Sequence, residues 1–233
     1  MKGKARKDAS ASDKLGFKDY LGTAAMTCTD GIGSGLMTSW FMVYLTDYAG
    51  IGPWAAALGT GLLLFARIFD AVNDPFEGWI MDRAKVGRMG KYKPFIILAI
   101  ILMSIGVSAL FFVPSLDNPI LIGAWVIISY LIYDIGVSFF APNLVYRTLT
   151  LDPNARGRLM IAPRIIGVLM GLVTSSIIVI VNGVNASIND LHLSFGIAVL
   201  LIMVITGAIS LFGISLIKER ITLMKAKRES AYA

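Results

Sequence analysis

LSFGIAVLLIMVITGAISLFGISLI, residues 193–217, runs for 25 residues without one charged side chain. As a helix rising about 1.5 Å per residue, such a run exceeds the roughly 30 Å hydrocarbon core of a bilayer. Working outward from it, residues 20–46, 53–82, 94–113, 120–146 and 161–181 are also predominantly apolar and long enough to cross. The 233-residue chain is 56% hydrophobic and 15% charged, with a mean hydropathy of +0.74, where soluble domains carry about 25% charged residues. An ordinary soluble globule is excluded. The expected fold is an all-α membrane protein, one bundle of six transmembrane helices, and no part of the chain leaves room for a second domain.

The connectors 47–52, 83–93, 114–119, 147–160 and 182–192 are rich in Gly, Pro, Asn and Asp, which mark turns. Of the 21 Lys and Arg residues, six lie in the N-terminal tail, five in 83–93, four in and beside 147–160 and five in the C-terminal tail. The last is Arg67, inside the second span, and the first, third and fifth connectors have none. Cytoplasmic segments retain Lys and Arg. The pattern predicts a cytosolic tail over 1–18, a bundle over 19–217 and a cytosolic tail over 218–233, in a multi-pass protein of the cell inner (plasma) membrane. It also accounts for the net charge of +6 without nucleic acid as a partner. Cys28 is the one cysteine, so there is no disulfide framework to read.

Asp30, Asp70, Asp74, Glu77 and Asp134 fall inside spans, where an ionised side chain costs at least about 2.5 kcal/mol. At about 3.6 residues per turn, Arg67, Asp70, Asn73, Asp74 and Glu77 form one polar stripe on the second helix. Pro75 has no amide hydrogen, so the Ala71 carbonyl loses its helical donor and becomes a further oxygen on that side. Two carboxylates a turn apart, an amide oxygen and a freed carbonyl are a ligand set for a hard cation, so Asp70, Asn73 and Asp74 are the expected site for Na⁺ or H⁺. The plainer alternative is a structural Arg67–Asp70 pair beside a protonated Asp74.

Asp30 lies in a first helix of small and polar residues, where it suits a hydroxylated solute or a pairing with Arg67 or Arg164; Thr29 beside it is either a ligand or a packing hydroxyl, as is Ser138. Asp134 has no local partner, and a pathway role and a structural one are equally open to it. Arg164 begins the fifth helix, where it reaches towards Asp30 or snorkels to headgroups. Trp40, Trp54, Trp79 and Trp125 are read as interfacial anchors, and His192 as a solvated outer-loop residue. No nucleophile–base pair, hydrolase metal spacing or nucleotide-binding loop marks an enzyme.

Three segments resemble the glycoside–pentoside–hexuronide:cation symporters, a branch of the major facilitator superfamily that includes melibiose permease. They are Ala66 to Pro75 (ARIFDAVNDP), Gly90 to Phe95 (GKYKPF), and Thr150-Leu151-Asp152 leading to Pro163-Arg164. The resemblance implies a cation site at Asp70, Asn73 and Asp74 with Arg67 beside it, and a sugar site drawing on Asp30 and Arg164. It also implies a conformational latch in Asp82, Arg83 and Arg88. Thr29 stands where relatives of melibiose permease carry Lys, and Phe139, Phe140 and Asn143 stand where they carry an Asp and a Trp, which points away from a galactoside. A family member has two six-helix bundles with solute between them, and the resemblance spans one. The expected function is therefore cation-coupled symport of a sugar or sugar-like solute, carried by an N-terminal half that works with a second bundle, either a separate C-terminal half or a second copy. The alternatives are a non-transporting fragment or membrane interaction protein, and a symporter of lysolipid or another amphiphile. No cofactor beyond the coupling ion is expected.

Overall fold

The computed structural model describes residues 15–115 and 118–222. The tail cations Lys2, Lys4, Arg6, Lys7, Lys14, Lys225, Lys227 and Arg228 lie outside the described residues. The regular elements of the described residues are all helical: α1 (Phe17–Ala25), α2 (Cys28–Ser39), α3 (Phe41–Val43), a π-helical stretch (Tyr44–Tyr48), α4 (Ala55–Arg83), α5 (Lys93–Leu110), α6 (Pro119–Phe139), α7 (Pro142–Leu149), α8 (Pro153–Leu159), α9 (Ile161–Ser175), α10 (Ile177–Ile188) and α11 (Leu191–Leu216). Five stretches among the described residues are long and apolar enough to cross a membrane.

The first expected span differs from the rest, being built from α1 to α3 and the π-helical stretch. Its hydroxyls bond back to the preceding turn: Thr27 Oγ1 donates to the Ala24 carbonyl at 2.8 Å, Ser34 Oγ to Asp30 at 2.7 Å and Thr38 Oγ1 to Ser34 at 2.8 Å. Such back-bonding competes with the helical ladder and bends helices, an effect that hydropathy does not register. The fourth expected span also divides, because Pro142 disfavours helical geometry at Ala141 and restarts the chain as α7. Connector 147–160, expected as a turn region, contains α8, whose N-terminus is capped by Asp152 accepting from the Asn154 and Ala155 amides. The fifth span runs past residue 181 through α10 to Asn189, which ends it in a left-handed conformation.

Small residues set the closest helix crossings. Gly106 of α5 lies against the Tyr133 backbone of α6, and a Cβ on Gly136 would meet the Met103 nitrogen at 2.8 Å and the Ala99 oxygen at 3.1 Å. Van der Waals contact of this kind drives association where lipid competes for apolar surface. Gly136→Leu is expected to cost about 1–3 kcal/mol through overpacking, read as a lower melting midpoint in detergent; an unchanged midpoint would show that the crossing is loose. On α11, Ser210 Oγ takes both the Thr29 amide (3.0 Å) and the Thr29 hydroxyl (2.9 Å) and donates to the Ala25 carbonyl at 3.1 Å.

The charged segments meet at one end. Arg220 pairs with Asp19 at 2.7 Å, Lys91 Nζ donates to the Asp82 carbonyl at 2.8 Å, and Lys93 Nζ donates to the Ile217 carbonyl at 2.8 Å. At the opposite end Tyr44, Phe111 and Phe195 form an aromatic knot. His192 is partly buried and stacks on Tyr44 at 6.2 Å, not solvated as expected. Trp40 and Trp125 do more than anchor: their indole N–H groups donate to the Thr174 and Ala109 carbonyls at 3.0 and 2.9 Å.

Candidate functional site

α4 continues as a helix through Pro75, so Asp70, Asn73, Asp74 and Glu77 keep the common face that their spacing requires. α6 supplies Asp134 and Ser138, one turn apart on one face. Together these helices enclose a cavity of about 360 Å³ lined by Asp70, Asp74, Glu77, Asp134, Val137 and Ser138, with Gly78 and Met81. Ser138 Oγ donates to Asp74 Oδ1 at 3.2 Å, and Asn73 Nδ2 donates to Glu77 Oε1. Asp134 sits against Asp70, and Glu77 and Asp134 are both buried.

The cluster has four carboxylates and no cation of its own. Among the described residues the one ion pair is Arg220–Asp19, at the charged end. Arg67 is exposed and makes no ion pair with Asp70, so the structural-pair alternative is not what this fold adopts. Asp134, which has no local partner in the sequence and is open there to a pathway or a structural role, is part of the cluster. Glu77 Oε2 and Asp134 Oδ2 are buried oxygens without a hydrogen-bond partner. Like charges in a low-dielectric site cannot all remain ionised without a counter-charge, so the arrangement invites a proton or a hard monovalent cation. Its donors are all oxygens, which fits either. No group of three or more His, Cys, Asp or Glu is arranged to hold a metal among the described residues.

Asp30 is half-buried and lies within electrostatic reach of Tyr133 and Tyr146. Tyr133 is also within reach of Asp134, and Tyr130 lies near Asp70, Asp134 and Arg67. The two tyrosines touch edge to face, centroids 6.2 Å apart, and so connect the Asp30 side of α6 to the acidic side. Arg164 is exposed on α9 and makes no ion pair with Asp30. Thr29 is fully buried with its hydroxyl bonded to Ser210, which makes it a packing residue in place of the expected solute ligand.

The expected latch residues form no ion pair with one another. Arg83 lies over the Trp79 ring at 4.1 Å, Asp82 engages Lys91 through its backbone carbonyl, and Arg88 is exposed. Their loop is instead tied to itself by the Gly87–Gly90 bridge, with N–H···O distances of 3.2 and 3.1 Å.

Residues 23–232 match the family described as MFS/sugar transport protein. The chain belongs to that family. It is a multi-pass membrane protein and not an enzyme, and the resemblance carried by the Ala66–Pro75 and Gly90–Phe95 segments stands. The curated relatives whose names specify a solute include the following three. A glucuronide carrier protein homolog of Escherichia coli is 29% identical over 64% of this chain and 32% of its own length. An isoprimeverose transporter of Lactiplantibacillus pentosus is 28% identical over 83% and 40%. A sodium-dependent lysophosphatidylcholine symporter 1 of Gallus gallus is 28% identical over 47% and 19%. The chain spans less than half the length of these relatives.

The sequence alone places neither Asp134 nor Ser138 at the cation site. Their signal was present, since an Asp and a Ser four residues apart share a helix face, but which face of α4 they meet depends on how the two helices cross.

Proposed function

We propose that this chain carries the coupling-ion site and one wall of the solute path of a secondary transporter, a symporter for a sugar or sugar-like solute driven by Na⁺ or H⁺. The observation that supports it is the acidic cavity between α4 and α6, with four carboxylates in its lining, none of them in an ion pair among the described residues. A cation bound among Asp70, Asp74, Glu77 and Asp134 draws α4 onto α6. Asn73 contributes by orienting Glu77, and Asp30, across the Tyr130–Tyr133 pair, meets the solute with Arg164 at the mouth. Coupling of this kind is reciprocal, so solute raises cation affinity by the factor by which cation raises solute affinity.

A second six-helix bundle, in the same polypeptide or another, completes the path and rocks against this one. Its place is supported by α4 and α9, whose apolar residues Ile68, Val72, Val168 and Leu172 are 61–74% exposed. Movement of that bundle also gives Asp82, Arg83 and Arg88 their latch partners. The gathering of charged segments at one end supports cytosolic termini in the plasma membrane. A sugar is favoured over a lysolipid because Phe139, one of the two phenylalanines that would suit an amphiphile, is engaged in stacking on Phe95 at 5.7 Å.

The test is uptake of a labelled glucuronide and a labelled pentoside disaccharide by cells expressing the chain with its partner bundle. Replacing Na⁺ with choline at fixed pH, or raising pH at fixed Na⁺, is expected to lower uptake at least about tenfold in one arm, the effect of about 1.4 kcal/mol of coupling. Uptake indifferent to both sinks cation coupling. Competition by lysophosphatidylcholine but by no sugar replaces the solute, and uptake of neither leaves a membrane interaction protein.

A further inference from the structure

The charged end holds a second cavity, about 540 Å³, that shares no residue with the acidic one. It is closed by the connector before α5, the last turn of α7, α8 and the segment after α11. Among its described lining residues are three cations, Lys91, Arg147 and Arg156, and no acid. Arg156 donates from Nη2 to the Thr150 carbonyl at 3.3 Å, which fixes the guanidinium, while its Nε is buried with no hydrogen-bond partner. Arg147 is exposed and in no ion pair among the described residues. Lys91 is held at the rim by the Asp82 carbonyl.

A buried guanidinium N–H without an acceptor is costly, and three cations line this cavity with no acid among its described lining residues, so their mutual repulsion is not offset within it. Both are relieved by one multivalent oxyanion. Guanidinium forks match the oxygens of phosphate in paired hydrogen bonds. The cavity stands at the ends of α4, α5, α7 and α11, hence at headgroup level, where basic pockets between helices hold lipid phosphates. Leu144 and Leu151 supply an apolar wall beside the cations, and Leu151 is 60% exposed.

We propose that this cleft binds a phosphate-bearing anion, with Arg147 and Arg156 as its principal donors and Lys91 as a third charge. The phosphate comes from a phospholipid headgroup of the adjacent leaflet or from a soluble phosphate ester.

The test uses the purified 233-residue chain in an uncharged maltoside detergent, with dihexanoyl phosphatidic acid and glycerol 3-phosphate as separate probes, read by calorimetry and native mass spectrometry. Wild type is expected to bind at least one probe. Arg147→Gln with Arg156→Gln is expected to weaken binding at least about tenfold, the loss of one or more charge-assisted hydrogen bonds. Lys85→Gln, outside the lining, leaves binding unchanged. Arg156→Lys keeps the charge but not the fork and falls between. Tighter binding of the lipid than of glycerol 3-phosphate identifies the headgroup as the source, and equal binding identifies the soluble ester. Failure of both probes to bind overturns the proposal, as does wild-type affinity in the folded double variant. Should the double variant not fold, exposed Arg147→Gln alone carries the decision: a loss supports the site and unchanged affinity overturns it.

Discussion

Asp134→Asn is expected to separate stability from coupling, raising the first and abolishing the second. The substitution keeps the shape of the side chain and removes one of four clustered carboxylates. With the cavity holding no cation, that relieves repulsion against Asp70 and leaves the Asp134 position able to donate a hydrogen bond to it. The melting midpoint measured without Na⁺ should therefore rise. The gain in midpoint on adding Na⁺, which reports binding to the folded state alone, should disappear, because a charge-assisted contact worth about 2–3 kcal/mol is lost, roughly 30- to 150-fold in cation affinity. Asp70→Asn should behave alike, since the two carboxylates face each other. Uptake by the assembled transporter should fall with cation affinity in both. Ser138→Ala, which removes the 3.2 Å hydrogen bond to Asp74, should have a smaller effect of about 1 kcal/mol. If Asp134→Asn retained the Na⁺-dependent rise in midpoint and the same response to pH, the cavity between α4 and α6 would not be the coupling site.

What could be read ahead of the structure follows from which interactions are local. The polar stripe from Arg67 to Glu77 is legible because helical periodicity alone places those side chains together, and the gathering of basic segments at one end follows from alternation along the chain. Asp134 joins Asp70 only through the crossing of α4 and α6, a relation 64 residues apart that no local pattern encodes. The broken first span is set by hydroxyls returning to their own backbone at Thr27, Ser34 and Thr38, which hydropathy counts as mildly polar and nothing more. In connector 147–160 the cue was present, with Asp152 as cap and Pro153 opening the helix, but its polarity concealed α8. Thr29 was ambiguous in sequence; its bond to Ser210, 181 residues on, decides for packing.

Glu219→Ala is expected to destabilise the charged end strongly. The residue is fully buried, and its carboxylate accepts the Lys91 amide at 2.8 Å on Oε2 and the Tyr92 and Lys93 amides at 2.8 and 2.6 Å on Oε1. These amides open α5, where the first turn has no intrahelical acceptors and the helix dipole favours a negative charge. The acid after α11 thus serves as a cap for α5, from about 126 residues away. Removing it leaves three amide donors buried together, and each hydrogen bond to a charged group contributes about 1.5–3 kcal/mol. A loss of at least about 3 kcal/mol follows, seen as a lower midpoint and as faster amide exchange at Lys91, Tyr92 and Lys93. Glu219→Gln should lose less, because one amide oxygen still accepts while its NH₂ faces donors. Gly90 provides the independent check from the other side. It adopts φ +108, and a Cβ there would stand 2.7 and 2.8 Å from the two carboxylate oxygens, so Gly90→Ala both strains the backbone and displaces the acceptor. If the carboxylate is what organises this end, Gly90→Ala combined with Glu219→Ala should cost clearly less than the sum of the two. Additive losses would mean that Gly90 is required for its turn alone and that the carboxylate caps α5 independently of it.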